Sequence, residues 1–76
     1  MVDIIKNLKK EVDDLFEDIN PFMDIDKYKK ANYLYRKLEH QIDFDLIKEA
    51  KIVQAYEEIK ELLKKIQLKD KKEFKR

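Results

Sequence analysis

Apolar residues recur along this chain at spacings of three and four, which is the period of an amphipathic helix. The stripe of the first segment contains Ile5, Leu8, Val12, Leu15 and Ile19. This spacing predicts a first helix near residues 3–18. Asn20 stands before Pro21 and ends that helix, because a residue that precedes proline is pushed out of the helical backbone region.

Two further stripes with the same period follow along the chain. The second contains Tyr28, Ala31, Tyr35, Leu38 and Ile42. It predicts a helix near residues 24–41. The third contains Ile52, Ala55, Tyr56, Ile59, Leu62, Leu63 and Ile66. It predicts a helix near residues 45–67, for which either Asp43 or Asp45 is a suitable N-cap.

Short connections between three helices force neighbours in the chain to run antiparallel. We therefore predict an all-α fold, an antiparallel three-helix bundle with up-down-up order. The absence of glycine and the single proline favour long helices with few turns. Residues 1–68 form one domain in this interpretation, and the charged residues 69–76 are expected to fray or to be disordered.

Charge is arranged in two blocks, although the net charge is only +1. Residues 11–26 contain acidic but no basic side chains, and residues 27–37 contain basic but no acidic ones. In antiparallel register Asp14 falls near Lys29, and Lys29 falls near Glu57 and Glu58. We interpret the blocks mainly as a device that selects this arrangement over alternatives in which like charges would meet.

The alternative interpretation of the positive block is that it forms a functional basic stripe on the second helix. This basic stripe contains Lys29, Tyr33, Arg36, Lys37 and His40. Cations around an aromatic ring suit a phosphate backbone with stackable bases, so the stripe is a candidate nucleic-acid site. The competing interpretation is a solvated helix face, and the nearly neutral chain favours it because nucleic-acid-binding domains are usually strongly basic.

Apolar residues in excess of one narrow core are the candidate partner-binding site. They are Phe22, Met23, Phe44, Leu46, Ala50 and Val53. An up-down-up bundle places the first turn and the second turn at opposite ends, so these residues form two separate apolar ends. A second copy packed antiparallel would join unlike ends across a two-fold axis, and we therefore expect a homodimer.

Several classes of function have no support in the residues. There is no cysteine, no nucleophile beside a base, and only one histidine, so we predict no enzyme and no catalytic residues. The acidic residues near Asp14 lack a glycine-containing loop, so we expect no metal site, and nothing indicates a cofactor or a small-molecule substrate. No apolar run approaches the length of a membrane span. No residue string singles out a family. We expect a small cytoplasmic interaction or regulatory module.

Overall fold

Three helices make up most of the molecule. The structure, a computed structural model, describes the backbone of residues 2–74 and the side chains of residues 3–69. The helices are α1 (Val2–Asp18), α2 (Ile25–Asp43) and α3 (Glu49–Phe74), and the 3-10 turn Pro21–Met23 lies between the first two. No strand occurs within residues 2–74. The predicted all-α class is confirmed.

The helix directions follow from pairs of contacting side chains. Lys60 Nζ lies 2.6 Å from Glu11 Oε1, and Gln67 donates to Asp18 at 3.0 Å. Both pairs advance in the same direction along α1 and α3, so these two helices are parallel.

α2 runs in the opposite direction to α3. Asp24, just before the start of α2, lies 3.6 Å from Lys69 in the later part of α3. Further along α2, the ring of Tyr35 lies 6.4 Å from that of Tyr56, much nearer the start of α3. The predicted up-down-up order is therefore confirmed.

α3 provides half of the buried apolar core. Its contribution is Ile52, Tyr56, Ile59, Leu63 and Ile66. α1 adds Leu8 and Val12, and α2 adds Ala31 and Leu38. These residues lie on the stripes that the spacing predicts, because residues three and four apart share one face of a helix.

Aromatic rings stand between α1 and α2. The ring centroid of Phe16 lies 5.9 Å from that of Tyr28 and 5.4 Å from that of Tyr35. Across the described backbone, no Cα of α1 lies within 8 Å of a Cα of α2, whereas α3 approaches both helices closely. The two helices that carry the opposite charge blocks are thus held apart by side-chain volume.

The expected pairing of the charge blocks is wrong in detail. Asp14 and Lys29 are both exposed, and no ion pair joins them among residues 3–69. Asp14 follows the buried Val12 by two residues, and Lys29 precedes the buried Ala31 by two. Two residues turn a helix by about 200°, so both side chains point away from the bundle. Lys29 likewise forms no ion pair with Glu57 or Glu58 in this part of the chain.

The connection between α2 and α3 differs from the prediction. The Asp45 N–H donates to the Ile42 carbonyl at 3.1 Å, and the Leu46 N–H donates to the Gln41 carbonyl at 2.8 Å. Asp45 has φ of 57°, so it closes α2 in a Schellman motif at the left-handed position where glycine is usual. Asp45 therefore follows Phe44, the C-cap of α2, instead of capping the start of α3. α3 begins at Glu49, four residues later than expected.

Replacing Asp45 by glycine should raise the free energy of unfolding by about 0.5–1 kcal/mol, because glycine has no Cβ to oppose a positive φ. Denaturant titration followed by circular dichroism measures this change. The matched control is Asp43→Gly, inside the last turn of α2, which should instead lower the free energy of unfolding by up to about 1 kcal/mol. A loss of stability in both variants would contradict the role given to Asp45.

The first connection lies where the sequence predicts the end of the first helix, before Pro21. Asn20 caps the 3-10 turn by accepting the Phe22 N–H at 3.0 Å, with Pro21 at the first position. Asp24 then caps α2 by accepting the Lys27 N–H at 3.2 Å. The Lys27 ammonium also hydrogen-bonds this carboxylate, and these interactions hold the pKa of Asp24 below its usual value.

The end of the chain is described only in part. The backbone of α3 is helical through Phe74, beyond the predicted end at residue 67. Side chains after Lys69 lie outside the described residues, so the fraying of 69–76 stays a prediction. None of the described helices is long and apolar enough to cross a membrane.

Candidate functional site

The six apolar residues assigned to partner binding divide into two groups. Phe22, Phe44 and Leu46 are 80%, 65% and 66% exposed, and Ala50 is exposed as well. Met23 and Val53 are half-buried and pack against the core. The structure therefore leaves four of the six on the surface and places two at the edge of the core.

One exposed group lies where α2 connects to α3. The Lys9–Glu39 contact gives the antiparallel register of α1 and α2. Ile4 precedes Lys9 by five residues, and Phe44 follows Glu39 by five. In this register the exposed Ile4 therefore lies at the level of Phe44. We name this group the Phe44 end, and it consists of Ile4, Phe44, Leu46 and Ala50.

The other exposed group lies at the opposite end of the bundle. We name it the Phe22 end, and it consists of Phe22, Ile25 and Leu68. The 3-10 turn presents Phe22 outward while Met23 packs inward. Ile25 and Leu68 are absent from the sequence-based set. Leu68 follows the fully buried Ile66 by two residues, and this displacement from the stripe signals an exposed position.

All members of the basic stripe lie on one face of α2, directed away from the core. Tyr33 is 63% exposed, and the four basic side chains are also exposed. Among residues 3–69, no carboxylate lies within 4 Å of these four basic side chains. The His40 ring lies 4.7 Å from that of Phe44, so the basic stripe continues into the Phe44 end.

A cluster of polar groups joins α1 to α2. The Lys9 ammonium donates to the Tyr35 hydroxyl at 2.7 Å and lies 3.4 Å from a Glu39 oxygen. The Tyr35 hydroxyl donates to Asp13 at 2.6 Å. The sequence gives no clear sign of this cluster, because its four residues come from two helices and share no local motif.

The protonation of this cluster argues against acid–base chemistry. Burial, followed by the hydrogen bond to Asp13, raises the pKa of Tyr35 to about 12. The hydrogen bond with Tyr35 raises the pKa of Lys9 above its ordinary value, although burial opposes this. At neutral pH the tyrosine stays protonated and the lysine stays charged. Since a general acid or base works best with a pKa near the operating pH, the cluster is suited to holding α1 against α2.

Acidic residues do not gather into a metal centre in the described part of the chain. Within it, no group of three or more histidine, cysteine, aspartate or glutamate side chains has an arrangement that could hold a metal ion. Asp14 and Asp18 are exposed on α1, and Asp18 is engaged by Gln67. The expectation that the protein needs no metal stays a prediction.

The chain was compared with protein-family models, with curated proteins and with solved structures. No match was found in any of the three comparisons.

Proposed function

We propose that this protein is a small, non-enzymatic interaction module that binds a second copy of itself. The observation that carries the proposal is the exposure of large apolar side chains at both ends of so small a bundle, led by Phe22, Phe44 and Leu46. Burial of such a side chain stabilises an association by roughly 1.5–3 kcal/mol before other costs. Clustered exposure of this kind is typical of protein interfaces.

A second copy is the partner that best fits the positions of the two ends. The 19 residues of α2 separate the Phe22 end from the Phe44 end by about 28 Å at 1.5 Å per residue. In an antiparallel pair, the Phe22 end of each copy lies beside the Phe44 end of the other, and both become covered. The net charge of +1 gives little repulsion between copies.

The absence of a catalytic role and a cytoplasmic location are parts of the same proposal. The polar cluster of Lys9, Asp13, Tyr35 and Glu39 has a structural explanation in the packing of α1 on α2. We expect no cofactor and no small-molecule substrate.

Nucleic-acid binding is the second candidate function. The observation that favours it is that the basic stripe has no carboxylate partner within the described residues. This candidate requires retention on DNA or RNA at low ionic strength, with an affinity that falls steeply as salt displaces the phosphate contacts.

Sedimentation equilibrium should show a dimer of the wild-type protein at high micromolar concentration. Replacing Leu46 by lysine should lower the association constant at least about tenfold while the helical circular dichroism spectrum is retained, because the charge enters an exposed apolar end. Val53→Lys is less suitable, since Val53 packs against the core and its loss would also affect folding.

The matched control is Asn7→Lys, which adds the same charge at an exposed polar position of α1. It should leave the association constant within about twofold of wild type, since isolated surface substitutions have small effects. A wild-type protein that sediments as a monomer throughout this range would contradict self-association.

A further inference from the structure

A groove runs between α2 and α3 and has a volume of about 400 Å³. Its floor contains the half-buried side chains of Leu34 and Leu62. Three exposed carboxylates, Glu57, Glu58 and Glu61, line the α3 side together with the exposed Lys65. The groove thus combines an apolar floor with a rim on which carboxylates outnumber the lysine of the α3 side.

The groove lies on the face of the α2–α3 pair that α1 leaves open. α1 meets α3 through Lys60 and Gln67, and neither residue lines the groove. Glu58 precedes Lys60 by two residues, so it lies on nearly the opposite face of α3. α1 covers one face of the helix pair, and the groove is the other.

The carboxylates of the groove are not neutralised by ion pairs within residues 3–69. No cation of that range lies within 4 Å of Glu57, Glu58 or Glu61. By contrast, Glu11 is paired with Lys60. Lys30 also lines the groove without such a contact. The groove therefore suits a helix face that carries cations around one large apolar or aromatic side chain.

The basic stripe on α2 of the same chain has cations around one exposed aromatic side chain, as the groove requires. Tyr33 is 63% exposed and stands among Lys29, Arg36 and Lys37. Tyr33 also directly precedes Leu34 of the groove floor. The basic stripe and the groove are thus neighbouring parts of one surface, and a two-fold interface requires such a surface to be complementary to itself.

We infer that the groove between α2 and α3 receives the basic stripe of a second copy, with the two α2 helices antiparallel and Tyr33 of each copy over the floor of the other groove. A two-fold axis perpendicular to α2 produces this direction and also brings unlike ends together. The inference rests on the proposed self-association and assigns its central contact.

Charge reversal on each half of this surface tests the inference. The stripe variant is Arg36→Glu with Lys37→Glu, and the groove variant is Glu58→Lys with Glu61→Lys. Each variant alone should associate at least about tenfold more weakly than wild type, because like charges then meet across the interface. An equimolar mixture should form a heterodimer within about tenfold of the wild-type association constant, since both of its contacts pair opposite charges again, one with the native side chains and the other with both charges reversed.

Sedimentation equilibrium with one labelled variant measures the mixed species, and circular dichroism confirms that each variant is folded. The matched control is Asp14→Lys with Glu17→Lys, which reverses two exposed charges on α1 outside the surface. This control should associate as wild type does. Association should also weaken with added salt, which screens exposed charges beyond about 8–10 Å.

The possible results separate the inference from the proposed function. A wild-type dimer that both variants leave intact would overturn the groove contact while self-association stands. A wild-type monomer would overturn both. Retention of the wild type and the groove variant on RNA or DNA, lost in the stripe variant, with no heterodimer in the mixture, would assign the stripe to nucleic acid and overturn the inference.

Discussion

Replacing Leu63 by alanine should lower the free energy of unfolding by about 2–5 kcal/mol. Leu63 is 0% exposed and belongs to the core face of α3, so the substitution leaves a cavity that its neighbours fill only in part. A domain of 76 residues has a total stability of roughly 4–11 kcal/mol at 0.05–0.15 kcal/mol per residue. The loss is therefore a large share of the whole, and thermal or denaturant unfolding followed by circular dichroism will measure it.

Leu68→Ala is the matched control for this experiment. It makes the same chemical change on the same helix, but Leu68 is 62% exposed. At protein concentrations low enough to keep the chain monomeric, its effect should stay within about 0.5 kcal/mol. Equal losses from the two substitutions would mean that the core does not lie where the structure places it.

Enlarging Ala31 to leucine should lower the free energy of unfolding by about 1–3 kcal/mol, because a close-packed core has no room for three further carbon atoms. Ala31 is 0% exposed in the core of α2. At protein concentrations low enough to keep the chain monomeric, the same change at the exposed Ala50 should have an effect within about 0.5 kcal/mol, since leucine is nearly as good a helix former as alanine. If Ala31→Leu unfolds with the same free energy as the wild type, there must be unfilled space beside this residue and the prediction is wrong.

The three helices can be predicted from the spacing of apolar residues alone. α1 and α2 begin and end within two residues of the predicted limits, since proline and the asparagine and aspartate caps act locally on the backbone. The start of α3 is displaced because aspartate both caps helix starts and tolerates the left-handed conformation that closes helix ends. Asp45 takes the second role, and its local sequence does not distinguish the two.

The candidate surfaces can be predicted only in part from the spacing of residues. Tyr33 and the basic stripe share a face of α2 by spacing alone, and their exposure follows from the opposite position of Ala31 and Leu38. The groove is not visible in the spacing, because it depends on two helices and on the face that α1 leaves open. Phe16 shows the same dependence, because its position between Tyr28 and Tyr35 is set by the packing of α1 on α2.

A periodic pattern specifies which residues of one helix share a face, because side-chain direction along a helix depends on the local backbone alone. It does not specify how far apart two helices stand or how each is rotated toward its neighbours. Those quantities depend on the packed volume of residues distant in the chain, here the aromatic rings between α1 and α2. For that reason the helices and their core faces follow from the order of residues, whereas the failed Asp14–Lys29 pairing, the open groove and the two exposed ends follow from how the helices pack.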